Sequence, residues 1–371
     1  MTTMTTKPLQ TLLDENNLIP PSQKDEDWLT YDLDALLSIS TQSSEPSKKP
    51  TITIVHEYYI YILNGNIVST NLPETLEKNV VIEQKQTNNA FIQLARSNSE
   101  CVHLDFTGLN DIEIGLYIEC SAGCANSMLQ INATNTTGGL IKRYFKVNDG
   151  ALINHYTNIN VANDSTITMS DTNNNNTGHI LDFVDVSVAK NAHYYALNQS
   201  YLSNNSRFQN RVTINGEDSD ATLHGLAINE EKQSCFYNTH IYHDTEDSVS
   251  NQLFKSMLKK DATLEYNGKV SVLPHAQQTN SYQLNQNILL DETANVYSRP
   301  QLFIDADDVK CTHGSTTGDI NRHEVLYLMS RGLDELTSRK IVLNAFFEEV
   351  FDKPTFKPEQ QNVHAILDKI L

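Results

Sequence analysis

The stretch DATLHGLAINEEKQSCFYNTHIYHDTEDSVSNQLFKSMLKKDATLEYNGKVSV, residues 220–272, decides the fold. It opens on Asp220-Ala221-Thr222-Leu223 and returns to a near copy at Lys260-Asp261-Ala262-Thr263, 41 positions on from Ala221 to Ala262. The same signature, a polar residue, a small one and then a β-run, stands at Asp149-Gly150-Ala151-Leu152 and at Lys190-Asn191-Ala192-His193, with Ala151 and Ala192 again 41 apart. Ser165 and Ser234-Cys235 start further β-runs about 14 positions after the first and third of these. Self-similar short strands cannot bury their apolar faces singly and must stack on neighbours, which is the logic of a β-solenoid. A β-sandwich whose turns share Asp-Ala meets the same pattern, so periodicity alone leaves both open. Asn251 to Lys260 reads as a helical excursion, and Asn173 to Asn176 as a surface loop or a turn ladder.

Working outward, β-branched and aromatic runs punctuated by turn residues extend from Thr51 to about Val309, among them Thr51-Ile52-Thr53-Ile54-Val55, Tyr58-Tyr59-Ile60-Tyr61-Ile62 and Val80-Val81-Ile82. Before them, Leu9, Leu12 and Leu13, then Trp28, Leu33, Leu36 and Leu37, recur at helical spacing around Pro20-Pro21, and TQSSEPSKKP (41–50) reads as a linker. After Cys311 the helical period returns. Val325, Leu328 and Met329 share a face, Gly332 stands where a left-handed cap belongs, and Leu336 to Phe351 continues until Pro354. A last helix puts Val363, Ile366, Leu367, Ile370 and Leu371 on one stripe, to be covered by the two neighbouring helices or by a partner protein. The expected organisation is a helical N-terminal region over 1–45, a β core over 51–313 and a C-terminal helical domain over 314–371.

Composition narrows the function. The chain has 371 residues, 46 acidic against 27 basic, and a formal charge of -19, so its average surface repels a phosphate backbone and nucleic acid is not an expected partner. No run reaches the roughly 18 to 20 apolar residues that cross a bilayer, and the opening MTTMTTKPLQTLLDENN has no basic region followed by an apolar one. The expectation is a cytoplasmic protein without a membrane partner. Five cysteines scattered over a long chain suit a reducing compartment rather than a disulfide framework.

Phosphate-binding loops, dinucleotide fingerprints and nucleophile elbows are absent from the sequence, so an energy source, if the function needs one, has to come from another subunit. Cys120 and Cys124 are spaced too widely for the usual paired-thiol motif and read as core cysteines. His240 and His243, three apart in a strand, face opposite sides and read as unrelated. Asp307-Asp308-Val309-Lys310-Cys311-Thr312-His313-Gly314 is different. In a final strand, Cys311 and His313 project from one face, and a thiolate with an imidazole suits iron in a sulfide environment. Two ligands do not complete a site, so the rest would come from a second chain. Spacing by itself still favours a structural cysteine and a surface histidine.

PQLFIDADDVKCTHGSTTGDINRHEVLYLMSRGL, residues 300–333, resembles the C-terminal signature of the SufB/SufD scaffold family of iron–sulfur cluster assembly, and its Cys-Thr-His-Gly form resembles the SufD side. Lys24-Asp25-Glu26-Asp27-Trp28-Leu29-Thr30-Tyr31, Ser250 to Lys255, and Tyr266 through Thr279 to Leu290 resemble three further family segments in the right order. The resemblance implies a mainly β fold, a right-handed parallel β-helix flanked by small α-helical N- and C-terminal regions. It implies a non-catalytic scaffold subunit that pairs with a SufB-like paralogue through the C-terminal β-helix edge, or with a second copy of itself in isolation. It also implies a SufC-like ABC ATPase docked on the C-terminal helices, carried onto Glu324, Leu328, Arg331, Gly332 and Phe346. Cys311 and His313 match the family's interface residues, where iron or a nascent cluster is held transiently and no cofactor is stably bound. Gln286 departs from the family, which often has Arg there. A carbohydrate-active β-helix enzyme and a purely structural interaction scaffold are the rival expectations.

Overall fold

The computed structural model describes residues 7–41, 49–73, 76, 87–97 and 101–371. Most of the proposed linker at 41–50 and the run Val80-Val81-Ile82 lie outside the described residues. In chain order the first strands are β1 (Tyr58–Leu63), β2 (Asn66–Asn71), β3 (Cys101–Thr107), β4 (Glu113–Cys120), β5 (Cys124–Thr134), β6 (Gly139–Val147), β7 (Leu152–Val161), β8 (Thr166–Asn174) and β9 (His179–Val188). They continue as β10 (His193–Tyr201), β11 (Ser206–Ile214), β12 (Asp220–Asn229), β13 (Ser234–His243), β14 (Val249–Leu258), β15 (Thr263–Val272), β16 (Asn280–Leu289), β17 (Asn295–Ile304) and β18 (Lys310–Gly318).

From β3 onward the strands alternate between two walls. One sheet runs β18-β16-β14-β12-β10-β8-β6-β4-β1-β2 and the other β17-β15-β13-β11-β9-β7-β5-β3. Within these walls neighbours are parallel except the β1–β2 hairpin. The fold is thus a parallel β-solenoid in which each turn adds one strand to each wall, the architecture expected from the sequence.

The repeat differs from the 41-residue spacing, and the reason is geometric. Tyr194 pairs with Ala221, Ser281 with Cys311 and Thr263 with Asn295, so these turns advance the chain by 27 to 32 residues. Ala151 precedes a strand of one wall and Ala192 a strand of the other, so their spacing is one and a half turns. The 14-residue offset was the half-turn. The signature itself marks a corner. Asn135, Asp164, Asn191, Asp218 and Asp247 occupy the same corner of successive turns with φ between 50° and 59°, and Asn and Asp tolerate that left-handed geometry better than other side-chain-bearing residues. The amide of Asp164 donates to Lys190 O, that of Asn191 to Glu217 O and that of Asp218 to Asp247 O, so each corner stacks on the next.

Asn173 and Asn176 belong to the opposite corner and are buried, with Asn176 Nδ2 donating to Phe145 O and its Oδ1 accepting from the Val147 amide. The asparagine run is therefore a turn ladder. Asn251 to Lys260, expected as a helix, is strand β14 and the corner after it. Its apolar residues serve two faces: Phe254 and Leu258 enter the lumen, and Leu253 and Met257 point outward against helices, which mimics a helical period.

The lumen is filled by inward residues such as Ile131, Ile159, Val186, Val212 and Leu223, each contributing about 1.5–3 kcal/mol by leaving water. It also contains one ionic cluster. Arg143 reaches Asp171 at 2.6 Å and Asp182 at 2.7 Å, all three wholly buried.

Both outer faces are covered. The leader helices α1 (Leu9–Glu15) and α2 (Leu33–Leu37), together with α3 (Ala90–Ser97), place Leu13, Trp28, Leu36 and Phe91 over Met128, Tyr156, Phe183 and Phe236 of the odd-numbered wall. The C-terminal helices α4 (Arg322–Ser330), α5 (Glu335–Glu348) and α6 (Gln360–Ile370) cover Tyr201, Leu226, Leu253 and Met257 of the even-numbered wall. The stripe of α6 is thus buried against the solenoid as well as against its neighbouring helices, a cover that helix-only reasoning did not include. Lys255 Nζ donates to Phe346 O and to Glu349, each at 2.8 Å, Lys259 Nζ to Ile370 O at 3.1 Å, and His224 Nδ1 to Val350 O at 2.8 Å. The two lysines take unsatisfied carbonyls at helix C-termini, where the helix dipole favours positive charge, while His224, whose burial holds its imidazole below the ordinary value, donates Nδ1–H.

Candidate functional site at the end of the solenoid

The last turn consists of β17 and β18, and each stands at the edge of its sheet. An edge strand has backbone donors and acceptors on one side with no neighbour to pair them, which makes it a template for another chain. The open end also leaves the inward row of β18 without a further turn above it. That row is Cys311, His313, Ser315 and Thr317, in register above Ser281, Gln283, Asn285 and Asn287 of β16. Cys311 and His313 therefore share one face, as the spacing required.

Their surroundings differ. Cys311 is half-buried and packs with Val270, Val272, Ala276, Leu302 and Ala306. Burial pushes its thiol above the ordinary value, and the Ser281 amide beside the sulfur pulls it partly back. His313 is exposed. Beneath the pair runs a row of hydroxyls: His243 Nε2 lies 2.8 Å from Ser250 Oγ, which lies 2.8 Å from Ser281 Oγ. Ser298 of β17 meets Ser315 of β18 at 2.8 Å, tying the two edges across the lumen.

The remaining thiols are different in kind. Burial holds Cys120 up at about 11 and Cys235 up at about 12, and Cys124 is raised further with Cys120 contributing. A thiol so raised is a poor source of thiolate, and these residues pack. His240 lies on the outer face, its ring 3.8 Å from that of Tyr242, whereas His243 is buried between Ser248 and Ser250, so the two do not converge. Among the described residues no group of three or more His, Cys, Asp or Glu is arranged around one metal position.

The C-terminal residues singled out by resemblance divide. Glu324, Arg331 and Gly332 are exposed, with Arg331 lying 5.1 Å from the Tyr327 ring and Gly332 at φ 98°. Leu328 and Phe346 turn inward onto the helix–solenoid core. Outward instead point Leu326 (60% exposed), Tyr327 (57%), Leu336 (45%) and Ile341 (42%). Sequence reasoning missed these four because it assigned apolar residues of α4 and α5 to burial. The signal available was that the helices carry more apolar residues than one stripe can bury.

Comparison with known proteins gives the family of the solenoid. Residues 121–346 match the SUF system FeS cluster assembly SufBD core domain. The iron–sulfur cluster assembly protein SufD of Escherichia coli is 33% identical over 159 residues, covering 43% of this chain and 37% of that protein. The SufBD family protein slr0076 of Synechocystis is 32% identical over 168 residues, 45% of this chain and 37% of the relative. Protein ABCI7, chloroplastic, of Arabidopsis thaliana is 34% identical over 135 residues, 36% and 28% respectively. The matches thus span between 28% and 37% of the length of these three curated relatives. With a matching core that covers more than half of it, folded as a parallel solenoid, this chain belongs to the SufBD family of iron–sulfur cluster assembly proteins and is SufD-like within it.

Proposed function

We propose that this SufD-like chain is a non-catalytic subunit that forms half of a cluster-assembly seam with a SufB-like partner and receives mechanical work from a SufC-like ATPase. The observation that carries the reading is the inward row at the open end: Cys311 and His313 side by side, beneath two sheet edges free to pair. A thiol and an imidazole in one chain supply two ligands to iron or to a nascent cluster, which are cargo here, and the partner's edge brings the others. Pairing strand edges also shields the seam from bulk water, and the arriving metal displaces the Cys311 thiol proton, which is released to solvent as the thiolate binds.

The exposed apolar face of Leu326, Tyr327, Leu336 and Ile341, with Glu324, Arg331 and Gly332 beside it, is the docking surface for the ATPase. ATP-driven closure of that partner would pull on α4 and α5. Lys255 and His224 connect the C-terminal end of α5 to β14 and β12, and Asp319 to Asn321 connect α4 directly to β18. Force on the helices therefore reaches the strand that bears Cys311 and His313.

The test is anaerobic co-purification of this chain with its SufB-like and SufC-like partners, followed by cluster reconstitution with wild type and His313→Ala. A stable complex that loses cluster formation on His313→Ala supports the reading. Unchanged cluster formation in an intact complex would reduce Cys311 and His313 to packing residues.

A further inference from the structure

The Asp25-Glu26-Asp27-Trp28 motif has an environment that neither the seam nor the helical docking face explains. Glu26–Trp28 form a single 3-10 turn that lies crosswise over the odd-numbered wall. Trp28 covers Arg207 of β11, its ring 4.0 Å from the guanidinium carbon. Asp27 Oδ1 accepts from Asn267 Nδ2 at 2.7 Å and from Lys269 Nζ at 3.0 Å, both on β15. Glu26 O accepts from Arg299 Nη2 at 2.9 Å, and Glu26 Oε1 from Gln301 Nε2 at 3.2 Å, both on β17. Thr30 donates to Glu265 of β15, whose other oxygen holds Arg299 at 2.7 Å. Three consecutive residues thus contact strands from β11 to the edge strand, meeting residues 179 to 275 positions away in the chain.

The last contact matters because β17 has a neighbouring strand only on its β15 side. Its position sets that of β18 through Ser298 and Ser315 and through Leu302, which packs in the same cluster as Cys311. An edge strand carrying Tyr297 and Phe303 about half exposed (47% and 50%) is paired along its length with β15 but lacks strand contacts on its other side to resist fraying. The strap supplies charged ones.

We propose that Glu26, Asp27 and Trp28 are positioning residues for the seam: they strap β17 against β15 and so hold the end of the solenoid in the geometry that presents Cys311 and His313. This deepens the seam reading and rests on it for its purpose, but the strap can be tested on this chain alone. The strap lies on the opposite wall from the C-terminal helices, so its effect is independent of their docking.

The experiment is hydrogen–deuterium exchange and Cys311 alkylation on the isolated full chain, comparing wild type with Asp27→Ala. That substitution leaves β17 and β18 chemically intact, so any change there arrives through the strap. The expected result is about tenfold faster exchange of the β17 amides bonded to β15, with Cys311 alkylation accelerated similarly and β9 to β11 unchanged. Asp27→Asn, which keeps the shape and the acceptor for Asn267, folds in either case and should give a smaller acceleration of the same amides. Faster exchange confined to residues 26–28, with β17 and Cys311 behaving as in wild type, would overturn the proposal. Because the readout contains no iron and no partner, its outcome is separable from that of the His313→Ala reconstitution.

Discussion

Replacing Arg143 with Met tests whether the lumen is held together as described. Arg143 makes five hydrogen bonds: two to Asp171, two to Asp182 and one to Thr157. Removing the cation leaves two carboxylates facing each other without solvent. Breaking a wholly buried ion pair in this way costs about 3–5 kcal/mol. The loss depends on pH with a definite sign. Burial already pushes Asp182 up to about 6 despite Arg143 beside it. A raised carboxylate means the folded state holds its proton more tightly than the unfolded one, so stability from this group declines as pH rises from the unfolded value near 4 and levels off above the folded one. Without Arg143 that folded value climbs further, and the penalty grows through neutrality. Arg143→Met should therefore lower the unfolding free energy by about 3–5 kcal/mol at pH 7.5 and by clearly less at pH 5.5, read from urea midpoints against wild type at each pH. Adding Asp171→Asn and Asp182→Asn should restore most of the loss at pH 7.5 and abolish its pH dependence. A loss under about 1 kcal/mol, or one equal at both pH values, would refute the reasoning.

Three other outcomes follow from named contacts. Burial holds His243 down at about 4; a depressed histidine contributes stability that is complete above its unfolded value near 6.5 and is lost as pH falls toward 4, so His243→Gln should flatten the acid limb of a stability–pH curve. Lys255→Met removes the bonds to Phe346 O and Glu349; the C-terminal end of α5 should exchange amide hydrogens about tenfold faster while the strands are unaffected. Leu326→Asp with Tyr327→Ala should leave the melting temperature of the isolated chain within a degree or two and weaken ATPase binding at least about tenfold by calorimetry.

The β-class and the place of the Cys311–His313 pair were legible because both depend on local rules, turn residues and the alternation of a strand. The turn length was not, because Ala151 and Ala192 look alike although they stand on different walls, and a corner residue carries no label for its wall. Asn251 to Lys260 misled for a related reason: Leu253 and Met257 face helices while Phe254 and Leu258 face the lumen, so both sides of one strand are apolar. The burial of α6 against the even-numbered wall, the ionic cluster around Arg143 and the strap all join residues far apart in the chain. No periodicity announces such contacts. Even the Glu26-Asp27-Trp28 motif, recognisable as a family segment, showed its targets Asn267, Lys269 and Arg299 only in three dimensions.

The central claim is that this chain itself ligates the iron at the seam. The most direct measurement is electron–nuclear double resonance on the reduced, reconstituted complex in which only this subunit carries nitrogen-15 histidine. The account predicts a nitrogen-15 hyperfine coupling to the cluster that disappears in His313→Ala. A cluster formed at full occupancy with no such coupling would contradict it.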